Sequence, residues 1–198
     1  GQDILLATRS GMAVRFGESD VRSMGRVSTG VKGLQLRDED LVVDMVVIGD
    51  DPASLMTLCE NGYGKRTPSA EYPRIRRGGK GVIDIKTTDR NGPVVSSKLV
   101  SDDNEIMIVT QNGIMIRLPV ESISQIGRNT QGVRVINVDD EDRVIDMTSV
   151  VAEDEEVIED AKAAENGEVD SDGSPDAAPS DAAEGPDNGQ VDSDEEGA

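Results

Sequence analysis

A propeller-like, all-β fold of tandem four-stranded blades is predicted by three observations: an unbroken 51-residue repeat, a glycine-closed hairpin at one fixed place in each repeat, and aliphatic runs of strand length. Gly11, Gly62 and Gly113 share a register, as do Gly30, Gly81 and Gly132, Val31, Val82 and Val133, and Asp38, Asp89 and Asp140. Two arginine sets keep it as well: Arg15, Arg66 and Arg117, and Arg26, Arg77 and Arg128. A unit that repeats charge as well as backbone shape points outward, to a polyanion.

Each unit opens on an apolar run: Ile4 to Thr8, Leu55 to Cys59 and Ile106 to Thr110. A short polar turn follows, Arg9-Ser10-Gly11, Glu60-Asn61-Gly62 or Gln111-Asn112-Gly113. Asn-Gly between strand-like runs predicts a type I′ hairpin, in which both central residues take positive φ. The return strands read Met12 to Phe16, Tyr63 to Thr67 and Ile114 to Leu118, and Pro68 and Pro119 end two of them.

Third strands are expected over Gly30 to Leu36, Gly81 to Thr87 and Gly132 to Val138. Fourth strands are expected over Leu41 to Ile48, Val94 to Val100 and Arg143 to Val151, so that each unit builds its own sheet. The organisation that follows is blades at 1–48, 54–100 and 105–151, links at 49–53 and 101–104, and a disordered acidic tail at 152–198. Propellers close with roughly 4–8 blades, so three units form a partial ring. Without an initiator Met, and opening almost directly on a repeat, the chain reads as a piece of something longer.

The formal net charge of −20 is unevenly spread, because residues 151–198 hold 18 acidic side chains against the single base Lys162. Residues 1–150 set 19 bases against 22 acids, which allows a clustered basic face. The tail is too poor in apolar residues to offset its chain entropy by burial. With one Phe, two Tyr and no Trp, the core must be aliphatic. Tyr63 and Tyr72 read as packing residues, and Cys59 as a buried strand residue in the register of Thr8 and Thr110.

The absence of His removes the usual general base and the commonest zinc ligand, so hydrolytic triads and zinc sites are not expected. No apolar run approaches the roughly 20 residues that span a bilayer, and the first residues lack the basic-then-apolar layout of a signal peptide. A soluble, cytosolic location is expected.

The densest basic cluster is Arg74-Ile75-Arg76-Arg77-Gly78-Gly79-Lys80-Gly81, with Lys65 and Arg66 on the neighbouring strand. Glycines let the backbone approach a phosphate that the cations neutralise. A nucleotide-binding loop does not fit, since Gly81 follows Lys80 where Ser or Thr should meet Mg²⁺, and Val82 to Ile85 reads as a strand where a helix is required. The acidic runs Asp38 to Asp40 and Asp139 to Asp142 lack calcium-loop spacing and read as solvated turns. Scarce aromatics disfavour single-stranded nucleic acid, which is held by stacking. The phosphates of a duplex suit a charged rim better.

Phosphate contact is assigned first to Arg66, Arg74, Arg76, Arg77 and Lys80. Arg15, Arg26, Lys32, Arg117, Arg128 and Arg134 come next, and Lys65 completes the set.

The stretches Asn61 to Pro68, Arg77 to Gly81, Asn91 to Val95 and Ile126 to Arg134 closely resemble the last blades of the C-terminal domain of the bacterial DNA gyrase A subunit. Ala7 to Gly11 and Gly30 to Gly33 resemble the blade before them, and the resemblance covers residues 3 to about 151. It implies a β-pinwheel, a propeller variant of usually six blades whose basic perimeter wraps duplex DNA. The family's hallmark box, Gln-Arg-Arg-Gly-Gly-Lys-Gly, has Ile75 in place of its Gln here and stands in the middle unit, as a later-blade echo.

For the whole protein the resemblance implies an ATP-dependent type II topoisomerase, the DNA gyrase heterotetramer of two A and two B subunits. ATP and Mg²⁺ would be used on other domains, and this chain would hold no catalytic residue, metal or cofactor. The tail is expected to fold back on the rim as a DNA mimic, the alternative being a solubilising appendage. Other readings are the A subunit of topoisomerase IV and a protein-binding propeller scaffold.

Overall fold

In a computed structural model of the protein the structure is described for residues 1–151; the tail expectation falls on 152–198, outside the described residues. The first unit contributes β1 (Asp3–Thr8), β2 (Met12–Gly17) and β3 (Val42–Ile48). The second contributes β4 (Ser54–Cys59), β5 (Tyr63–Pro68), β6 (Val82–Ile83) and β7 (Val94–Val100). The third contributes β8 (Asn104–Thr110), β9 (Met115–Pro119), β10 (Val133–Arg134) and β11 (Val144–Val151). A single 3-10 turn follows β2, β5 and β9, at Glu18–Asp20, Ser69–Glu71 and Val120–Ser122.

The hairpins form where the glycine register places them, but the turn differs from the expected type. Gly11, Gly62 and Gly113 have φ of 77°, 77° and 85°, whereas Ser10, Asn61 and Asn112 do not share the positive φ. Gly11 N donates to Thr8 O at 3.0 Å, Gly62 N to Cys59 O at 3.1 Å and Gly113 N to Thr110 O at 3.0 Å. That geometry is a type I turn closed by a left-handed glycine bulge, in which only the glycine needs the left-handed region. Ser therefore serves at position 10 as well as Asn does at 61 and 112.

Three antiparallel sheets result, with strand orders β3-β1-β2-β6, β10-β5-β4-β7 and β11-β8-β9. These orders correct the expectation that each unit builds its own sheet. The outer strand is exchanged: β6 of the second unit pairs with β2 of the first, Ala13 opposite Val82, and β10 of the third pairs with β5 of the second, Gly64 opposite Val133. The expected third strands shrink to two residues, because only there does the segment run alongside the receiving strand. Residues 30–36, their counterpart in the first unit, form no strand. The third sheet keeps three strands, its β9 edge receiving no partner among the described residues.

Gly81 (φ 79°) and Gly132 (φ 78°) precede the exchanged strands. A Cβ at Gly81 would lie 2.4 Å from Ala13 O, and one at Gly132 would lie 2.7 Å from Gly64 O. The repeated glycine is therefore required twice over, by backbone conformation and by contact with the preceding sheet.

Sheets stack through aliphatic layers. Leu5, Ala7, Val46 and Ile48 of the first sheet meet Leu55 and Tyr72 of the second unit. Met56 and Leu58 meet Ile106, Ile108 and Met147 of the third sheet. All six residues of β4 are buried, as expected of a strand covered on both faces.

Candidate nucleic-acid interface

The segment after each 3-10 turn carries the cations, and in the second and third units hydrogen bonds lay it along the outer edge of the preceding sheet. Ile75 N donates to Arg15 O at 2.8 Å, and Ile126 N to Arg66 O at 2.9 Å. These segments also bond to one another: Gly78 N to Gly33 O at 2.7 Å, Gln35 N to Gly79 O at 2.8 Å and Lys86 N to Thr130 O at 2.8 Å. The result is a rim built from residues of all three units and held together by main-chain bonds.

Arg76 and Lys80 are exposed on this rim, and Arg26, Lys32 and Arg134 are exposed as well. Arg74 is 58% exposed, with Nε 3.4 Å from Asp3 Oδ1. Arg77 and Arg128 are half-buried, and each donates through Nη1 to a carbonyl one register step back: Arg77 to Lys32 O, Arg128 to Ile83 O at 2.9 Å. Arg26, of the same register, has no such bond among the described residues.

Several of the assigned cations are engaged within the protein; Arg134, though exposed, donates through Nη2 to Tyr63 OH at 2.7 Å and through Nη1 to Asn137 Oδ1 at 3.1 Å. Arg15 donates through Nε to Asp3 Oδ2 at 2.8 Å and through Nη1 to Ser69 O at 2.9 Å and Tyr72 O at 3.3 Å. Arg66 repeats that geometry one unit on, bonding Ile123 O at 2.7 Å, Glu121 O at 3.4 Å and the Asp102 carboxylate. Their side chains are 19% and 8% exposed, so both are clamps on the next unit's 3-10 turn rather than rim groups. Arg117 is 57% exposed and pairs with Glu105 of its own sheet, because no further unit supplies it a turn among the described residues.

Lys65, expected beside Arg66 at the rim, is buried completely. Its Nζ bonds Thr67 Oγ1 at 2.9 Å, Asp84 O at 2.7 Å, Gly127 O at 3.0 Å and Arg128 O at 2.9 Å. The Asp84 carboxylate lies 3.7 Å away and accepts from Tyr72 OH at 2.6 Å and Thr57 Oγ1 at 2.8 Å. Burial pushes the Lys65 ammonium down and the Asp84 carboxyl up, while their mutual charge attraction opposes both shifts. Tyr72 is a packing residue, as expected, and in addition a donor; burial and the Asp84 charge raise its phenol.

Cys59 is buried in β4, with its thiol pushed up to about 12 by burial and by the Asp84 charge. Tyr63 is covered by guanidinium groups, Arg90 at 4.6 Å and Arg134 at 5.3 Å from the ring centroid. Hydrogen bonding, first from Arg134 and then from Arg90, lowers its phenol.

Among the exposed cations that sequence reasoning did not assign are Lys86, beside the rim, and Arg90, over Tyr63. Neither belongs to the basic cluster or to a repeated register, Lys86 standing where Gln35 and Asn137 stand. The signal that would have found Lys86 is continuity with the exchanged strand rather than repetition.

Acidic groups sit at the hairpin-turn end of the blades. Asp40 takes the Ser10 amide at 2.8 Å and its hydroxyl at 2.5 Å, and Asp142 takes the Asn112 amide at 3.0 Å. Burial opposes ionisation of Asp40, but its hydrogen bonds outweigh that and hold the carboxyl below the usual range. These carboxylates lock the turns; Asp40, read as part of a solvated turn, is in fact buried, because the Ser10 amide and hydroxyl draw it in.

The family described as DNA gyrase C-terminal domain, beta-propeller, matches residues 2–48, 53–101 and 104–150. The DNA gyrase A subunit of Haloquadratum walsbyi is 46% identical over 144 residues, which is 72% of this chain and 17% of that protein. The chain thus spans less than a fifth of the length of this relative. Among solved structures, that of the DNA gyrase A C-terminal domain superposes with a TM-score of 0.71 at 28% identity, over 76% of this chain and 51% of the other. The C-terminal domain of DNA topoisomerase IV superposes with a TM-score of 0.73 at 25% identity, over 83% and 52%.

Proposed function

Since the chain belongs to the DNA gyrase C-terminal domain, beta-propeller family, we propose that its outer rim binds duplex DNA and bends it around the blades. The observation that carries this reading is the rim itself, where Arg74, Arg76 and Lys80 stand exposed on a second-unit segment that main-chain bonds lay along the first unit. Bending a 20–30 base-pair site by 40–90° costs about 1–6 kcal/mol. Many separate phosphate contacts must offset that, and a repeated edge supplies them at intervals.

The phosphate-contacting set is Arg74, Arg76, Arg77 and Lys80 in the second unit, Arg26 and Lys32 in the first, and Arg128 and Arg134 in the third. Lys86 is added to it; Arg15, Lys65 and Arg66 leave it, having their donors engaged inside the stack. Arg117 stays at its margin, discounted by its Glu105 pair, and Arg74 and Arg134 carry the same discount for their bonds to Asp3 and to Tyr63 OH.

Within the whole protein the domain would present wrapped DNA to a type II topoisomerase core, in a gyrase heterotetramer of two A and two B subunits, and so serve the introduction of negative supercoils. ATP and Mg²⁺ would be used there on other domains, with this chain itself non-catalytic and without a cofactor, and the enzyme would work in the cytoplasm. Topoisomerase IV remains the second reading, on the strength of its equally close superposition. Supercoiling of relaxed plasmid by the complete enzyme separates the two.

The test of the rim is Arg76→Glu with Lys80→Glu in the full-length protein. Each lost phosphate contact should flatten the log–log salt dependence of duplex binding by about 0.9, so the pair should lower the slope by about 1.8. A wild-type slope would reject the assignment.

A further inference from the structure

The second unit differs from its neighbours in one internal respect. Thr57, Lys65, Thr67, Tyr72 and Asp84 form a single polar cluster inside it. At the same register the first unit has Leu6, Val14, Phe16, Val21 and Gly33, and the third has Ile108, Ile116, Leu118, Ile123 and Val135. All five positions change together, from two apolar cores to one polar one. The fold evidently does not need the polar set, because the flanking sheets stand without it, and a buried ion pair gives little net stability over apolar side chains of similar volume.

What the polar set adds, beside the Arg66 clamp and the main-chain bonds at the two ends of the segment Ile126 to Thr130, is a buried donor that reaches the middle of it. Through Nζ, Lys65 holds the carbonyls of Gly127 and Arg128 at 3.0 and 2.9 Å, and the carbonyl of Asp84 at 2.7 Å. It thereby ties the rim segments of the second and third units to one buried ammonium. Val14 and Ile116 have no donor with which to do this. Arg128 is further fixed by its Nη1 bond to Ile83 O at 2.9 Å and lies 5.9 Å over the Tyr72 ring, itself part of the cluster. Its backbone N–H donates to Glu71 Oε2 at 3.3 Å.

We propose that Lys65 is a positioning residue for DNA binding, which from inside the second sheet holds the segment Ile126 to Thr130 so that Arg128 meets a duplex phosphate. The proposal rests on the rim reading above. Lys65 touches no DNA; it acts through the two carbonyls that fix where Arg128 stands.

The experiment uses the full-length protein and a duplex probe. One variant installs the third unit's own apolar set, Thr57→Ile, Lys65→Ile, Thr67→Leu, Tyr72→Ile and Asp84→Val; a second, Lys65→Met with Asp84→Asn, removes the charge pair together. Arg128→Ala is the reference. Amide exchange at Ile126 to Thr130 should quicken about tenfold in both variants, the scale of one lost charge-assisted hydrogen bond. The salt slope should fall by about 0.9, as in Arg128→Ala. Adding Arg128→Ala to either variant should lower it no further. The readings are taken on whichever variants keep a cooperative thermal transition, and the milder pair substitution decides if the five-fold one unfolds.

A folded variant with wild-type exchange and slope would overturn the proposal and leave the cluster a core feature. An Arg128→Ala slope equal to wild type would overturn it too. Arg76→Glu with Lys80→Glu judges the rim reading separately, so failure here does not imply failure there.

Discussion

Arg15, Arg66 and Arg117 share one register and yet meet three different environments, so the same residue type carries different energetic weight at each. Arg66 satisfies two carbonyls of the following turn and an aspartate while 8% exposed. Truncating it to Ala strands those acceptors, a loss on the order of 1–3 kcal/mol. Arg117, at 57% exposure, has one glutamate partner, and a pair of that kind contributes under about 1 kcal/mol. Urea melts of Arg66→Ala and Arg117→Ala should differ in that order; equal losses would refute the clamp. The contrast also explains why arginine is repeated where it is. The side chain is long enough to bridge from the middle of one sheet to the turn of the next, and its fork can serve more than one carbonyl.

At the level of elements, the decisive feature is that β6 and β10 complete sheets begun by the preceding unit. Each exchanged strand offers only two paired residues, so a short element depends on the glycine that delivers it. For Gly81→Ala, left-handed backbone alone costs about 1–2 kcal/mol, and contact with Ala13 O adds to that. The variant should melt earlier than wild type. It should also quicken exchange in β2, the strand that receives β6, before it affects β8. Exchange unchanged in β2 would show that the outer strand contributes nothing. Gly113, with open space around its Cβ position, faces only the conformational cost.

At the scale of the whole molecule, exchanged strands and arginine clamps tie the three sheets into one stack, and Cys59 reports on it. Its thiol is buried between sheets and pushed up to about 12, so at pH 8 almost none is thiolate in the folded state. Reaction with a thiol reagent should be slow in buffer and should accelerate with urea in step with global unfolding. Rapid labelling without denaturant would show that the sheets separate locally. The repeat interval, the hairpins and the aliphatic core were legible in the chain because each is set by neighbours within a few residues: alternation along a strand, a glycine at a turn, the absence of His and Trp. Propeller-like blades follow from those alone. Which arginines face outward was not legible, nor that Lys65 lies at zero exposure, nor which sheet owns β6. Those depend on carbonyls and strand edges some 51 residues away in the next unit, and a charged residue carries no local mark of whether its partner will be a phosphate outside or a main-chain oxygen within.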